Sequence, residues 1–351
     1  MLENAAVAQD SLCFPFESPP SGGTVRLAEN LLWIRLPLPL PLDHVNCFAF
    51  SDSDGWTVID TGIYTAETQH IWEQLVAGPL ADSDIRRVIL THHHPDHVGM
   101  AGWFHSKFGT EIFATRTAWL MARILSLDVQ ESLTEEGSEF FRRAGTPAEL
   151  LAKLTVRRPF NFADHIRPLP AGFTRLQDGD QIRFGNENWW VRVGHGHAPS
   201  HLTLWSEDSQ MVIGGDQFLP DITPNIGVYV SEPDANPLAE FLGSCEQFLE
   251  YADSRQLILP GHQRPFFGLP LRLHQLTASH QVFLERIRQR IRATPSSAHD
   301  IFDILFRCPI GDGEYGLAII EAIAHMNWLL HAKQAKRDLN AEGIWMYSSS
   351  R

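Results

Sequence analysis

The 351-residue sequence contains no uninterrupted apolar run of the roughly 18 residues that a membrane-crossing helix needs. The apolar stretch 31–42 is interrupted by Arg35 and by prolines, and reads as strand and loop. Cysteine is scarce: Cys13, Cys47, Cys245 and Cys308 are far apart and form no CxxC pair. That spacing disfavours a disulfide framework and suits reduced thiols in a cytoplasmic protein. The N-terminus MLENAAVAQDSLCFPF lacks a basic start followed by an apolar core, so no secretory signal is expected. Positive charge is in deficit, 28 Lys+Arg against 42 Asp+Glu, for a formal net charge of −14. Long-range attraction to nucleic acid or to an anionic membrane is therefore disfavoured. No repeat of fixed period and no low-complexity tract is present.

What remains is ordinary globular material, 44% apolar and 20% charged, with an unusual 17 histidines. Residues 1–22 read as a loosely ordered arm. From Val25 the pattern is β-like (TVRLAENLLWIRLPLP, then HVNCFAFSDSDGWTVIDTG), with 52–55 as a hairpin turn. A helix is predicted over 65–77, followed by the strand IRRVIL, a histidine-rich loop, a helix over 98–108 and the strand EIFAT. Residues 117–170 change character and read as a helical insertion of two or three helices. Four β segments follow (TRLQDGDQIRFG, NWWVRVG, HLTLWSED and SQMVIGGDQF), then a helix over 238–252 and the strand QLILPGH. From Leu271 onward the pattern is mainly helical. Strands alternating with helices twice, then a helical tail, predict a layered α/β architecture: 23–268 as the main domain and 269–351 as a small, mainly helical one.

The chemistry concentrates at Thr91-His92-His93-His94-Pro95-Asp96-His97. A lone histidine is usually a polar surface residue. Four potential ligands, His92, His94, Asp96 and His97, within six residues of an apolar strand's end are a metal signal. Three more strand ends carry candidates beside glycine: the 194–201 segment GHGHAPSH, Gly214-Gly215-Asp216, and Pro260-Gly261-His262. Asp60, in the turn Asp60-Thr61-Gly62, follows the strand WTVI.

Taken in order, HxHxDH, GHxxxH, GGD and PGH resemble the metallo-β-lactamase superfamily over about residues 25–268. The resemblance implies an αββα sandwich with two metal ions at one edge. His92, His94 and His197 would hold the first ion, and Asp96, His97 and His262 the second. Asp216 would bridge them, and Asp60 would brace the loop from behind. His197 is preferred over His195 and His201 by its position in the family segment, although His195 stands where proline is usual. His201 is left as a neighbour of the ligands or a substrate contact, and His93 as a structural residue pointing away from the metals. Zinc is the default ion by ligand type, with iron and manganese accepting the same donors.

The ligand set also discriminates within the superfamily. Zinc β-lactamases carry Cys or Ser where Asp216 stands, and flavodiiron proteins carry Glu where His94 stands. The full set resembles glyoxalase II and its relatives most. By that resemblance the protein is a hydrolase in which hydroxide bridging two divalent metals attacks a small ester-like substrate, a thioester or lactone. Asp96 and Asp216 would orient the hydroxide or relay its proton. The alternatives are a phosphodiesterase or endoribonuclease on the same core, and an iron-dependent enzyme resembling persulfide dioxygenases. Residues 269–351 resemble the winged-helix-like domain of some lactamase-like hydrolases. Their ten Lys+Arg against eight Asp+Glu are too even to predict nucleic-acid binding. The 117–170 insertion is expected either to cover the site as an apolar lid or to bury its helices in itself or in a homodimer contact.

Overall fold

The structure is a computed structural model that describes residues 11–40 and 42–350; the first ten residues of the expected arm lie outside the described residues. Two sheets form the centre. The first runs in chain order: β1 (Thr24–Ala28), β2 (Leu31–Pro37), β3 (His44–Asp52), β4 (Gly55–Ile59), β5 (Ile85–Ile89), β6 (Glu111–Thr115) and β7 (Thr174–Leu176). It is antiparallel up to β4 and parallel from β4 onward. The second holds β8 (Gln181–Phe184), β9 (Glu187–Gly194), β10 (His201–Ser206), β11 (Met211–Gly215) and β12 (Leu257–Pro260), with only β11 and β12 parallel.

Period-two patterning sorts the side chains between layers. On β3, Val45, Cys47 and Ala49 face outward, while Phe48 and Phe50 face the other sheet. On β11, Met211 and Ile213 face that same interior and Val212 faces outward. The interior between the sheets therefore fills with Trp33, Phe50, Phe184, Trp189, Leu204 and Leu259, among others.

Helices cover both outer faces. On the first sheet lie α1 (Ala66–Ala77), the short α2 (Pro95–Val98), α3 (Ala101–Phe108) and α4 (Arg116–Leu127). Thr65 caps α1 by accepting from the Thr68 amide. The single helix expected over 98–108 is broken, because Thr61 Oγ1 and the Gly62 carbonyl both take the Met100 amide, at 3.1 and 3.2 Å. On the second sheet lie α7 (Pro237–Leu249), α8 (Leu269–Ala293) and α10 (Tyr315–His331), joined by α5 (Glu135–Arg143), α6 (Ala148–Val156) and α9 (Phe302–Leu305). The architecture is αββα.

Three readings change. The segment TRLQDGDQIRFG is not one strand: β7 closes the first sheet and β8 opens the second, with the crossing at the turn where Asp180 accepts from the Gln177 amide. The C-terminal region ends in a hairpin, β13 (Ala335–Leu339) with β14 (Trp345–Ser349), whose turn is held by Asn340 Oδ1 accepting from the Glu342 and Ile344 amides. Residues 11–22 are docked: Cys13 exchanges backbone hydrogen bonds with Phe267, and the Phe14 ring lies 6.4 Å from that of Phe266.

Candidate metal centre

The candidate residues arrive from four strand ends at one edge of the sandwich. β5 leads into His92, His94, Asp96 and His97; β9 into His197; β11 into Asp216; β12 into His262. The structure gathers all seven into three overlapping groups, His92/His94/His197, His92/His97/Asp216 and Asp96/His97/His262, each with its ligand atoms within 4.8 Å. His92 and His97 are each shared by two groups, and Asp216 joins them in the middle one. Its Oδ2 lies 3.4 Å from His197 Nε2 and 3.2 Å from His262 Nε2, and its Oδ1 lies 3.4 Å from His97 Nε2. Asp96 reaches His262 at 3.4 Å and His97 at 3.6 Å.

The far nitrogens of the rings are spent on the scaffold. His97 Nδ1 donates to Asp60 at 2.8 Å, His197 Nδ1 to the Asn225 carbonyl at 2.8 Å, and His262 Nδ1 to the His44 carbonyl at 2.7 Å. Thr91 donates its hydroxyl and its amide to the two oxygens of Asp60, so its Oγ1 is left to accept from His92 Nδ1 at 3.0 Å. His92 and His197 therefore each turn a lone pair on Nε2 inward, and these two atoms face one another at 3.3 Å. Two lone pairs at that distance repel unless a cation lies between them. His97 Nε2 and Asp216 Oδ1 are buried with no hydrogen-bond partner. The donor set of imidazole and carboxylate is that of zinc and neighbouring transition metals. The residues fit a metal-ion site.

The electrostatics divide the rings into two sets. Burial pushes His92 and His94 well below the ordinary imidazole range, reinforced by neighbouring histidines, so both are neutral donors. His197 is lowered too, first by burial. Burial also pulls on His97, but Asp216, Asp96 and Asp60 overcome it and hold that ring well above its usual value. His262 is carried to about 10 against burial by Asp216 and Asp96. Burial opposes ionisation of Asp216, yet His262 and His97 keep its carboxylate well below the usual range.

Close backbone approach needs glycine at two places. Gly215 has φ +48°, and a Cβ there would come within 2.6 Å of the His201 ring. At Gly261 a Cβ would overlap Asp216 Oδ1 and crowd His97 Cε1 at 2.9 Å.

The remaining candidates fall into place around this centre. His201 accepts from the Asp216 amide at 3.1 Å and stacks on His92, with ring centroids 4.7 Å apart. His195 is exposed and accepts from the Ser200 amide, outside the cluster. His93 turns to stack on Phe162, with ring centroids 6.2 Å apart. Asp60 adopts φ +55° to reach Thr91 and His97 together.

Sequence reasoning missed Thr91, His44 and Asn225 as supports of the candidate ligands. Thr91 was adjacent to the motif and could have been read as a hydroxyl facing Asp60. His44 and Asn225 act through backbone carbonyls, which carry no residue-type signal.

Access is on the side of His94 and Asp96, since the other candidate ligands are buried while the Asp96 side chain keeps 19% exposure. The insertion divides its duties. In α4, Trp119 is buried over the first sheet and stacks on Phe173, while Leu120, Ile124 and Leu127 remain exposed. Helices α5 and α6 pack on the C-terminal region: Phe140 meets Trp345 at 6.0 Å, and Arg142 donates to the Glu342 carbonyl.

The metallo-beta-lactamase superfamily model matches residues 40–289, most of the chain. The chain belongs to the metallo-beta-lactamase superfamily. A second model, the metallo-beta-lactamase-like C-terminal domain, matches residues 284–350. Helix α8 runs unbroken across the junction of the two. The chain is 26% identical over 314 residues to the probable metallo-hydrolase YqjP of Bacillus subtilis, covering 88% of this chain and 94% of that one. A beta-lactamase domain protein from Burkholderia ambifaria superposes with a TM-score of 0.88 at 32% identity, covering 96% of this chain and 98% of that one. A metallo-beta-lactamase family protein from Thermus thermophilus shares the fold, with a TM-score of 0.77 at 24% identity over 92% of this chain and 100% of that one.

Proposed function

We propose that this superfamily member is a dinuclear-metal-dependent hydrolase of a small ester-like substrate, a thioester or a lactone. The observation that carries the reading is Asp216, a buried carboxylate whose oxygens lie within 3.4 Å of His197 in the three-histidine group and of His97 and His262 in the Asp/His/His group. His92, His94 and His197 would hold one cation, Asp96, His97 and His262 the other, and Asp216 both. Bound there, the pair would lower the pKa of a shared water and polarise the substrate's oxygen, with zinc favoured by the donor set.

The chain's own groups do the rest. Asp96 is the carboxylate nearest solvent; it sits beside His262 and can pass a proton from the attacking water to the leaving group. Asp216, buried and tied to three rings, orients rather than shuttles. Phe160 packs on Phe162, Phe162 on His93 and His93 on His94, an aromatic path to the site that favours an apolar acyl group. Among the described residues no helix is long and apolar enough to cross a membrane. The four cysteines are unpaired, which suits the reducing, cytoplasmic setting expected from their spacing.

The test is elemental analysis of the purified protein, with the same preparation assayed on thioesters, lactones and bis(p-nitrophenyl) phosphate. Two metal equivalents with thioester or lactone turnover are expected. Cleavage of the phosphodiester alone would replace the ester reading with the phosphodiesterase one.

A further inference from the structure

The C-terminal region has no ligand in the metal centre, yet it touches the centre through one loop. Residues 217–230, between β11 and α7, carry Asn225, whose carbonyl takes the His197 Nδ1 proton. Two C-terminal helices clamp this loop. From α8, the buried Arg272 donates to the Leu219 carbonyl at 2.6 Å and to the Ile222 carbonyl at 2.7 Å. From α10, the Ile320 carbonyl accepts from the Val228 amide at 3.1 Å. Gly227 lies so close to α10 that a Cβ there would come within 2.6 Å of Ile320 Cδ1.

At the centre of this clamp, Asn225 Nδ2 donates to Glu321 Oε2 at 2.8 Å and to the Leu317 carbonyl at 3.3 Å. One residue therefore faces both ways. Its backbone carbonyl orients a ligand histidine, and its side chain is held by a carboxyl group from another region of the chain. A surface tie between loop and helix would not call for an acid in so crowded a place, where burial pushes the Glu321 carboxyl up to about 7.

We propose that Glu321 is a positioning residue of the metal centre, acting through Asn225 to aim His197 at the cation held by His92, His94 and His197. This rests on the reading of those three histidines as ligands. It gives the C-terminal domain a defined part in the site: α10 fixes the acceptor that sets the tautomer and ring angle of His197. Outer groups of this kind typically change metal affinity by about 10–100-fold when removed.

Zinc titration of the metal-stripped full-length protein by calorimetry, with thermal unfolding and circular dichroism as fold controls, tests the link. Glu321→Leu should weaken one of the two zinc equivalents by about 10–100-fold and leave the other unchanged, because His97, Asp96 and His262 are anchored elsewhere. Glu321→Gln, whose amide oxygen can still accept from Asn225, should restore it. Asn225→Ala probes the same link from the loop side and serves if Glu321→Leu fails to fold. The double variant should be no weaker than either single one. Unchanged binding in folded Glu321→Leu or Asn225→Ala protein, or equal loss of both equivalents, would overturn the proposal. Parent protein that binds no zinc at all would overturn the ligand reading beneath it.

Discussion

Asp216 meets His97, His197 and His262 with two oxygens, so its charge is used three times within one buried volume. Asp216→Asn keeps the shape and removes the charge. It should lose hydrolysis, and elemental analysis should show less than one metal equivalent retained. Asp60 stands one layer further out, taking the Thr91 amide and hydroxyl and the His97 ring. Asp60→Asn should retain the fold and lower metal affinity or turnover by about 10–100-fold, read from chelator competition and from kcat/KM. The motif residues could be read in the chain because His and Asp are typical metal-donor types and these ones cluster at strand ends. Thr91, His44 and Asn225 could not be ranked that way. Asn225 and His44 offer only backbone carbonyls, and His44 lies far along the chain from the ring it anchors.

At the scale of elements, strands and helices with clear patterning were legible: the apolar run of β3 and the helix of α1 both show in the sequence. The breaks were not. Helix 98–108 splits because Thr61 and Gly62 capture the Met100 amide, a contact from a different strand end. The insertion was legible as helical but not in its docking. The Phe140 ring, on α5, is buried against Trp345 of the terminal hairpin. Phe140→Ala should therefore cost about 3–5 kcal/mol, measured by denaturant unfolding. It should also raise hydrogen exchange in β13 and β14 as well as in α5. A loss confined to the insertion would show that α5 does not brace the C-terminal hairpin.

Across the whole molecule, α8 and α10 meet through a buried histidine pair, His280 Nδ1 and His325 Nε2 at 3.2 Å. His325 donates its other nitrogen to the Glu321 carbonyl, so it accepts from His280, and both rings are neutral. Burial lowers His280 to about 3 and His325 to about 4. The unfolded chain takes up these protons from near pH 6.5 downward, whereas the folded one does not until about pH 4 or below. Stability is thus full above about pH 6.5 and falls as pH drops toward 4, by on the order of 3 kcal/mol for His325 alone. His325→Gln should flatten that slope relative to the parent, in urea melts between pH 7 and pH 4.5. An unchanged slope would assign the acid sensitivity to other groups.

The sequence by itself determined the layer pattern and the residue types at the strand ends, because alternation and ligand chemistry are local properties of the chain. Only the tertiary structure decided that β7 and β8 part into different sheets, that the 98–108 helix breaks at Met100, and that α5 docks on the terminal hairpin. Each of those depends on where segments separated by tens to hundreds of residues come to rest. That is set by packing between layers, which no local spacing encodes.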